Sequence, residues 1–188
     1  MQPDPYATGV LDKVYHERLV ADRDKFTRDA GIQPHWLWTS MVDTCSPDEI
    51  DYFKKFRFHQ AKGTTHGLCY TRITPNGDPE EHMQAMAGAF LRNFIRARVM
   101  TLSTVLTLLD EGDAPDATVL LIPNFFLSKA EGGGLPVWKV ALLYDMLVKR
   151  ANHGKQTVIY ATSLADLGKE YGAAFRRIVE KRFLQVEI

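Results

Sequence analysis

From Leu68 onward, short apolar segments alternate with helix-patterned ones, and this alternation constrains the fold more than any other feature of the chain. Strand candidates are residues 68–73 (LCYTRI), 98–102 (RVMTL), 118–122 (TVLLI), 156–161 (QTVIYA) and 183–188 (FLQVEI). Helix candidates lie between them at 79–96, 103–110, 135–151 and 164–182. Strands separated by helical crossovers predict an α/β fold with a doubly wound, five-stranded parallel sheet. The run Val119-Leu120-Leu121-Ile122 has no polar alternation, as suits a central strand buried on both faces. In such sheets ligands bind beyond the carboxyl ends of the strands, so those loops are where chemistry is sought.

The first 60 residues read differently. Val10, Leu11, Val14, Leu19, Val20 and Phe26 mix with dense charge, predicting one exposed helix from about Thr8 to Ala30. Gly31 stands where a helix C′ glycine belongs, and Pro34 follows to stop the helix. After the aromatic stretch His35–Trp38, Ser46, Pro47 and Glu49 form a capping-box pattern for a second helix. The expected organisation is a helical N-terminal extension over 1–60 and an α/β core over 61–188.

Composition narrows the function. The 188 residues suffice for one domain with a substantial core. Lys+Arg and Asp+Glu both number 23, so bulk electrostatic attraction to nucleic acid is not favoured, although a local basic face remains open. Cys45 and Cys69, two thiols without metal-ligand spacing, and the lack of a signal peptide or membrane-length apolar run lead us to expect a cytoplasmic protein.

The loop after the first strand candidate carries the sharpest question. Residues 73–83 read ITPNGDPEEHM, a glycine-containing loop between strand and helix, as in a phosphate-binding loop. Thr74, Pro75 and Gly77 occupy its early positions, but Pro79 replaces the second glycine, Glu80 the lysine and Glu81 the magnesium-binding hydroxyl. Each close contact between such a carboxylate and a phosphate costs on the order of a few kcal/mol. A capping role explains the same residues: Asp78 as N-cap, Pro79 at N1 and Glu81 at N3 of a capping box. A metal cluster of Asp78, Glu80, Glu81 and His82 is disfavoured, because adjacent helix positions do not face one another. Where ATPases of this architecture end the third strand in acidic residues, this chain has Pro123 and Asn124.

Other motifs place this pattern in a family. Ala30-Gly31-Ile32-Gln33-Pro34 resembles the A-G-I-P-P segment before the ATPase core of the bacterial helicase loaders, AAA+ P-loop NTPases that include DnaC, DnaI and the IstB transposition helpers. His82–Ala87 resembles their K-T-H-L-A-x-A, with His82 in the histidine position. Residues 98–106, 142–150, 154–157 and 161–164 resemble the family's second strand, a helix, its G-K-P-T strand and its T-S-N-L sensor. Tyr171-Gly172 followed by Arg177 and Arg182 resembles the closing segment that carries an arginine finger. The departures fall on the chemistry: both Walker motifs are degenerate and Ser163 replaces the sensor asparagine. A C-terminal helical lid is not expected after the fifth strand candidate.

The resemblance implies a catalytically inactive, AAA+-like protein with no cofactor, acting by protein contact in DNA replication or in phage, plasmid or transposon replication. Its expected partner is a replicative helicase, a replication initiator or a transposase, with assembly as a homo-oligomer or with an active AAA+ protein. Arg177 and Arg182 can act in trans there, or merely complement a helix dipole. A single-stranded nucleic-acid-binding module, or an interaction scaffold unrelated to ATP, is the alternative. Its contacts are Trp36, Trp38, Lys54, Lys55 and Arg57, although Trp36, Trp38, Phe125 and Phe126 suit the core equally and Lys54, Lys55 and Arg57 suit a solvated helix face. Gly132-Gly133-Gly134 reads as a loop. No nucleophile–base pair or metal set supports an enzymatic reading.

Overall fold

The computed structural model describes residues 4–72, 77–129 and 134–188. Thr74, Pro75, Gly132 and Gly133 lie outside the described residues. The sheet comprises β1 (Gly67–Arg72), β2 (Ala97–Val99), β3 (Val119–Phe126), β4 (Gln156–Ala161) and β5 (Phe183–Glu187), all parallel, in the order β2-β3-β4-β1-β5. Crossovers run through α5 (Pro79–Arg92), α6 (Leu102–Asp110), α7 (Val137–Asn152), α8 (Leu164–Glu170) and α9 (Ala173–Arg182). Before the sheet come α1 (Glu17–Ala21), α2 (Arg23–Ala30), α3 (Pro47–Lys54) and α4 (Phe56–Lys62), with 3-10 turns at Pro34–Leu37 and Met41–Asp43.

Strand alternation divides the core into two clusters. Leu68, Tyr70, Val119, Leu121 and Val158 face α5 and the N-terminal segment, whose Leu19, Leu37, Tyr52 and Phe56 join them. Cys69, Leu120, Ile122 and Ile159 face the other way, onto Leu106, Leu143, Leu147 and Phe175. Both faces are therefore covered, the arrangement that an all-parallel sheet requires. Arg150 ties the second layer to the strands, donating to the carbonyls of Pro115, Ala117 and Gln156 and to the Thr157 hydroxyl at 2.8–3.1 Å.

Three expectations need correction. The single helix expected over residues 8–30 begins only at Glu17, because the Asp12 carboxylate accepts the Val14 and Tyr15 N–H groups and holds a turn there, and it is interrupted at Asp22 to give two short helices. The helix over 164–182 breaks at Gly172, whose φ is +97°. The third strand does not stop at Pro123. It continues to Phe126, and its register with β4 shifts between Ile122 and Phe126, which accommodates a residue with no N–H to donate.

Candidate functional site

The start of α5 and the Pro123-Asn124 stretch of β3 meet at the carboxyl edge of the sheet. Asp78 precedes α5 in an extended conformation, and its Oδ1 accepts the Glu80 N–H at 2.9 Å, with Pro79 at N1. The N-cap is as expected, but it bonds Glu80 rather than Glu81, and among the described bonds the Glu81 carboxylate accepts none from the Asp78 N–H, so the expected capping box does not form. Glu80 instead accepts from Gln84 one turn on, at 3.2 Å. At the end of β3, the Asn124 side-chain oxygen accepts the Leu102 N–H at 2.8 Å and fixes the start of α6. Asp78, Pro79, Glu80, Thr101, Pro123, Asn124 and Tyr160 line one depression of about 240 Å³. Two carboxylates face it, and no lysine or arginine is among its lining residues. A phosphate placed there meets like charge and finds the Leu102 and Glu80 N–H groups already engaged. Ser163 accepts the Asp166 N–H at 3.1 Å and caps α8.

A second cluster sits between α3 and the first turn of α5. Glu49 is fully buried, yet its carboxylate is held by three donors: the Tyr70 hydroxyl at 2.6 Å, the Ser46 N–H at 2.7 Å and His82 Nδ1 at 2.8 Å. The Ser46 hydroxyl in turn accepts the Glu49 N–H at 3.4 Å, so the expected capping box is complete. Burial pushes the Glu49 carboxyl up, but the bonds from His82, Tyr70 and Ser46 outweigh it and hold it below the usual carboxylate range. The bond to Glu49 raises His82 against the opposing effect of burial. Cys45 lies beside this pair, with Sγ 3.7 Å from the His82 carbonyl, and burial together with the neighbouring Glu49 pushes its thiol up. A thiol held protonated is not a nucleophile, so no Cys–His reaction is implied.

Capping patterns account for Glu49 in the sequence, but nothing in its spacing connects it to Tyr70, His82 and Cys45. The remaining candidates are scattered. Trp36 is 7% exposed, which makes its ring core, and its carbonyl accepts from Arg92 at 2.9 Å. Trp38 is half-buried against the same cluster, and Phe125 and Phe126 are fully buried. Lys54, Lys55 and Arg57 are exposed, with Lys55 paired to Asp51 at 2.8 Å. Of the aromatics among them, Phe53 and Phe56 pack on Phe90, and Phe58 alone stays at the surface. Arg177 and Arg182 are exposed on α9 and do not line the depression.

Strand order and two covered faces define the fold class, an all-parallel five-stranded α/β sheet with a depression at its strand ends. No family model matches the sequence, and no curated protein does. Solved structures do. DnaI aligns with a TM-score of 0.58 at 13% identity, over 84% of this chain and 94% of that one. The DnaC helicase loader aligns with a TM-score of 0.54 at 16% identity, over 81% and 98% respectively. The replication initiator DnaA, bound to AMPPCP and single-stranded DNA, aligns with a TM-score of 0.54 at 11% identity, over 79% of this chain and 49% of that one. The chain thus spans nearly the whole of the DnaI and DnaC structures and about half of the DnaA structure. At these identities the likeness is one of fold. Among the described residues, no helix is long and apolar enough to cross a membrane.

Proposed function

We propose that this chain is an AAA+-fold protein that works without nucleotide, as a contact-making component of DNA replication or of mobile-element replication. The observation that carries this reading is the depression at the strand ends. It lies at the carboxyl ends of the strands, where such sheets bind ligands, while its lining presents Asp78 and Glu80, one proline at the start of α5 and another within β3, and an asparagine whose oxygen already accepts the Leu102 N–H. A scaffold kept without its phosphate chemistry is suited to binding another protein. Similarity of fold to the DnaC helicase loader supports a replicative helicase as that partner, with an initiator or a transposase as the alternatives. Arg177 and Arg182, exposed on α9, are then available to an active AAA+ neighbour in a mixed assembly.

Two measurements test the reading. Calorimetry with magnesium and ATP is expected to show no binding in the micromolar range, and a micromolar dissociation constant overturns the nucleotide-independent part. Affinity purification from the native cell is expected to bring down a replicative helicase, initiator or transposase, and recovery of none removes the partner assignment. A second reading rests on the exposed Lys54, Lys55 and Arg57 beside Phe58. It requires single-stranded DNA binding that weakens steeply with salt.

A further inference from the structure

We propose that Cys45, Glu49 and His82 form a binding site for a thiophilic divalent cation, zinc by preference. Each offers one ligand atom, Sγ, a carboxylate oxygen and a ring nitrogen, and these atoms all lie within 4.8 Å of one another. Around a tetrahedral zinc, with bonds of about 2.0–2.3 Å, ligand atoms stand roughly 3.5 Å apart, so the trio closes on the ion with a shift of about 1 Å. The set mixes sulfur, nitrogen and oxygen, which zinc accepts and which calcium and magnesium do not. Three protein ligands leave a fourth position for water.

The surroundings have the features that support a metal ligand. The Tyr70 hydroxyl, 2.6 Å from Glu49 Oε1, and the Ser46 N–H, 2.7 Å from Oε2, orient the carboxylate from behind. Cys45 and Glu49 are buried and the His82 side chain is only 12% exposed, so the ion is largely shielded from water. The charge balance is favourable: a divalent cation offsets the Cys45 thiolate and the Glu49 carboxylate, with His82 neutral. On entry of the ion the thiol proton leaves to solvent, and the His82 Nδ1 proton, which now points at Glu49, leaves or is replaced by one on Nε2. Hydrogen bonding alone accounts for Glu49 and His82. The Cys45 thiol also meets the Glu49 carboxylate, besides its long 3.7 Å contact to the His82 carbonyl, so all three side chains converge on one point. The site would clip the segment before α3 to the first turn of α5, a pin of the N-terminal segment onto the core that does not depend on the proposed function.

The test uses the full, untagged chain with cobalt(II) as a spectroscopic probe. One cobalt per chain is expected, with a near-ultraviolet thiolate-to-metal charge-transfer band and visible bands of tetrahedral intensity, all bleached by added zinc. Cys45→Ser and Cys45→Ala abolish the charge-transfer band, His82→Gln weakens cobalt binding by at least tenfold, and Cys69→Ser leaves both unchanged. Zinc raises the melting temperature of the wild type and not of the Cys45 variants. A folded wild type, judged by near-ultraviolet circular dichroism, that shows no thiolate band overturns the proposal whether or not any variant folds. A band that survives Cys45→Ala and is lost in Cys69→Ser overturns it as well.

Discussion

Glu49 keeps a negative charge in a place that water does not reach, and it does so only because three donors converge on it. Removing a donor from a buried carboxylate costs more than an average hydrogen bond contributes, because the acceptor is left short with no solvent to replace it. Tyr70→Phe, which keeps the ring and deletes only the hydroxyl, is therefore expected to lower stability by about 1–3 kcal/mol in urea denaturation. A second prediction concerns alkaline pH. Burial pushes the Cys69 thiol up to about 12 and raises the buried Tyr52 and Tyr70 hydroxyls as well. Groups with raised folded values hold their protons longer in the native state, so the unfolded chain releases protons first. Their stabilising contribution is complete below about pH 9 and is lost as pH rises through 10 to 12. The urea midpoint should fall steadily over that range, and Cys69→Ala should flatten the early part of the fall. A midpoint that does not move between pH 8 and 11 would contradict this assignment.

At the scale of elements, α5 shows how a short-range rule and a long-range contact compete. Glycine inside a helix ordinarily costs about 1 kcal/mol relative to alanine. Yet a Cβ on Gly88 would stand 2.2 Å from the Trp36 carbonyl oxygen, where backbone cannot give way easily. Gly88→Ala is thus expected to destabilise the fold by about 1–3 kcal/mol where helix propensity alone predicts a gain, and a thermal melt decides the sign. Asp78→Ala removes the cap of the same helix and should cost about 0.5–2 kcal/mol without creating ATP binding. Local pattern was legible wherever neighbours decide the outcome: the box at Ser46 and Glu49, the cap at Asp78 and the stop at Gly31, which is left-handed at φ +67°. It failed where partners are distant. Pro123 reads as a strand end, and only the register shift against β4 lets β3 run on to Phe126. The meeting of Asp78 and Glu80 with Asn124 was readable through the fold class, since both stretches end strands or follow them. The Glu49 cluster was not, because Tyr70 is 21 positions away and His82 is 33, and no periodicity links them.

For the whole molecule, the decisive feature is that one hydrophobic cluster crosses the expected boundary at residue 60. Leu11, Leu19, Ile32, Leu37, Tyr52 and Phe56 come from one side, and Met83, Met86, Phe90, Val119 and Leu121 from the other. The N-terminal segment is also bonded to the core, through Arg92 to the carbonyls of Trp36, Leu37 and Thr39, Tyr52 to Gln156, and Glu49 to Tyr70 and His82. Deleting residues 1–60 would expose the outer side of α5 to water and leave a face of buried aromatics and methionines without a cover, at about 25 cal/mol for each Å² of apolar surface uncovered. Net stabilities of domains are only about 5–15 kcal/mol, so a loss on that scale exceeds what the sheet can tolerate. The fragment 61–188 is therefore expected to retain helical and strand signal in the far ultraviolet while losing its near-ultraviolet signal and binding a hydrophobic dye. A cooperative melt of that fragment with native near-ultraviolet dichroism would show instead that the sheet stands alone and that the N-terminal segment is free to leave it for a partner.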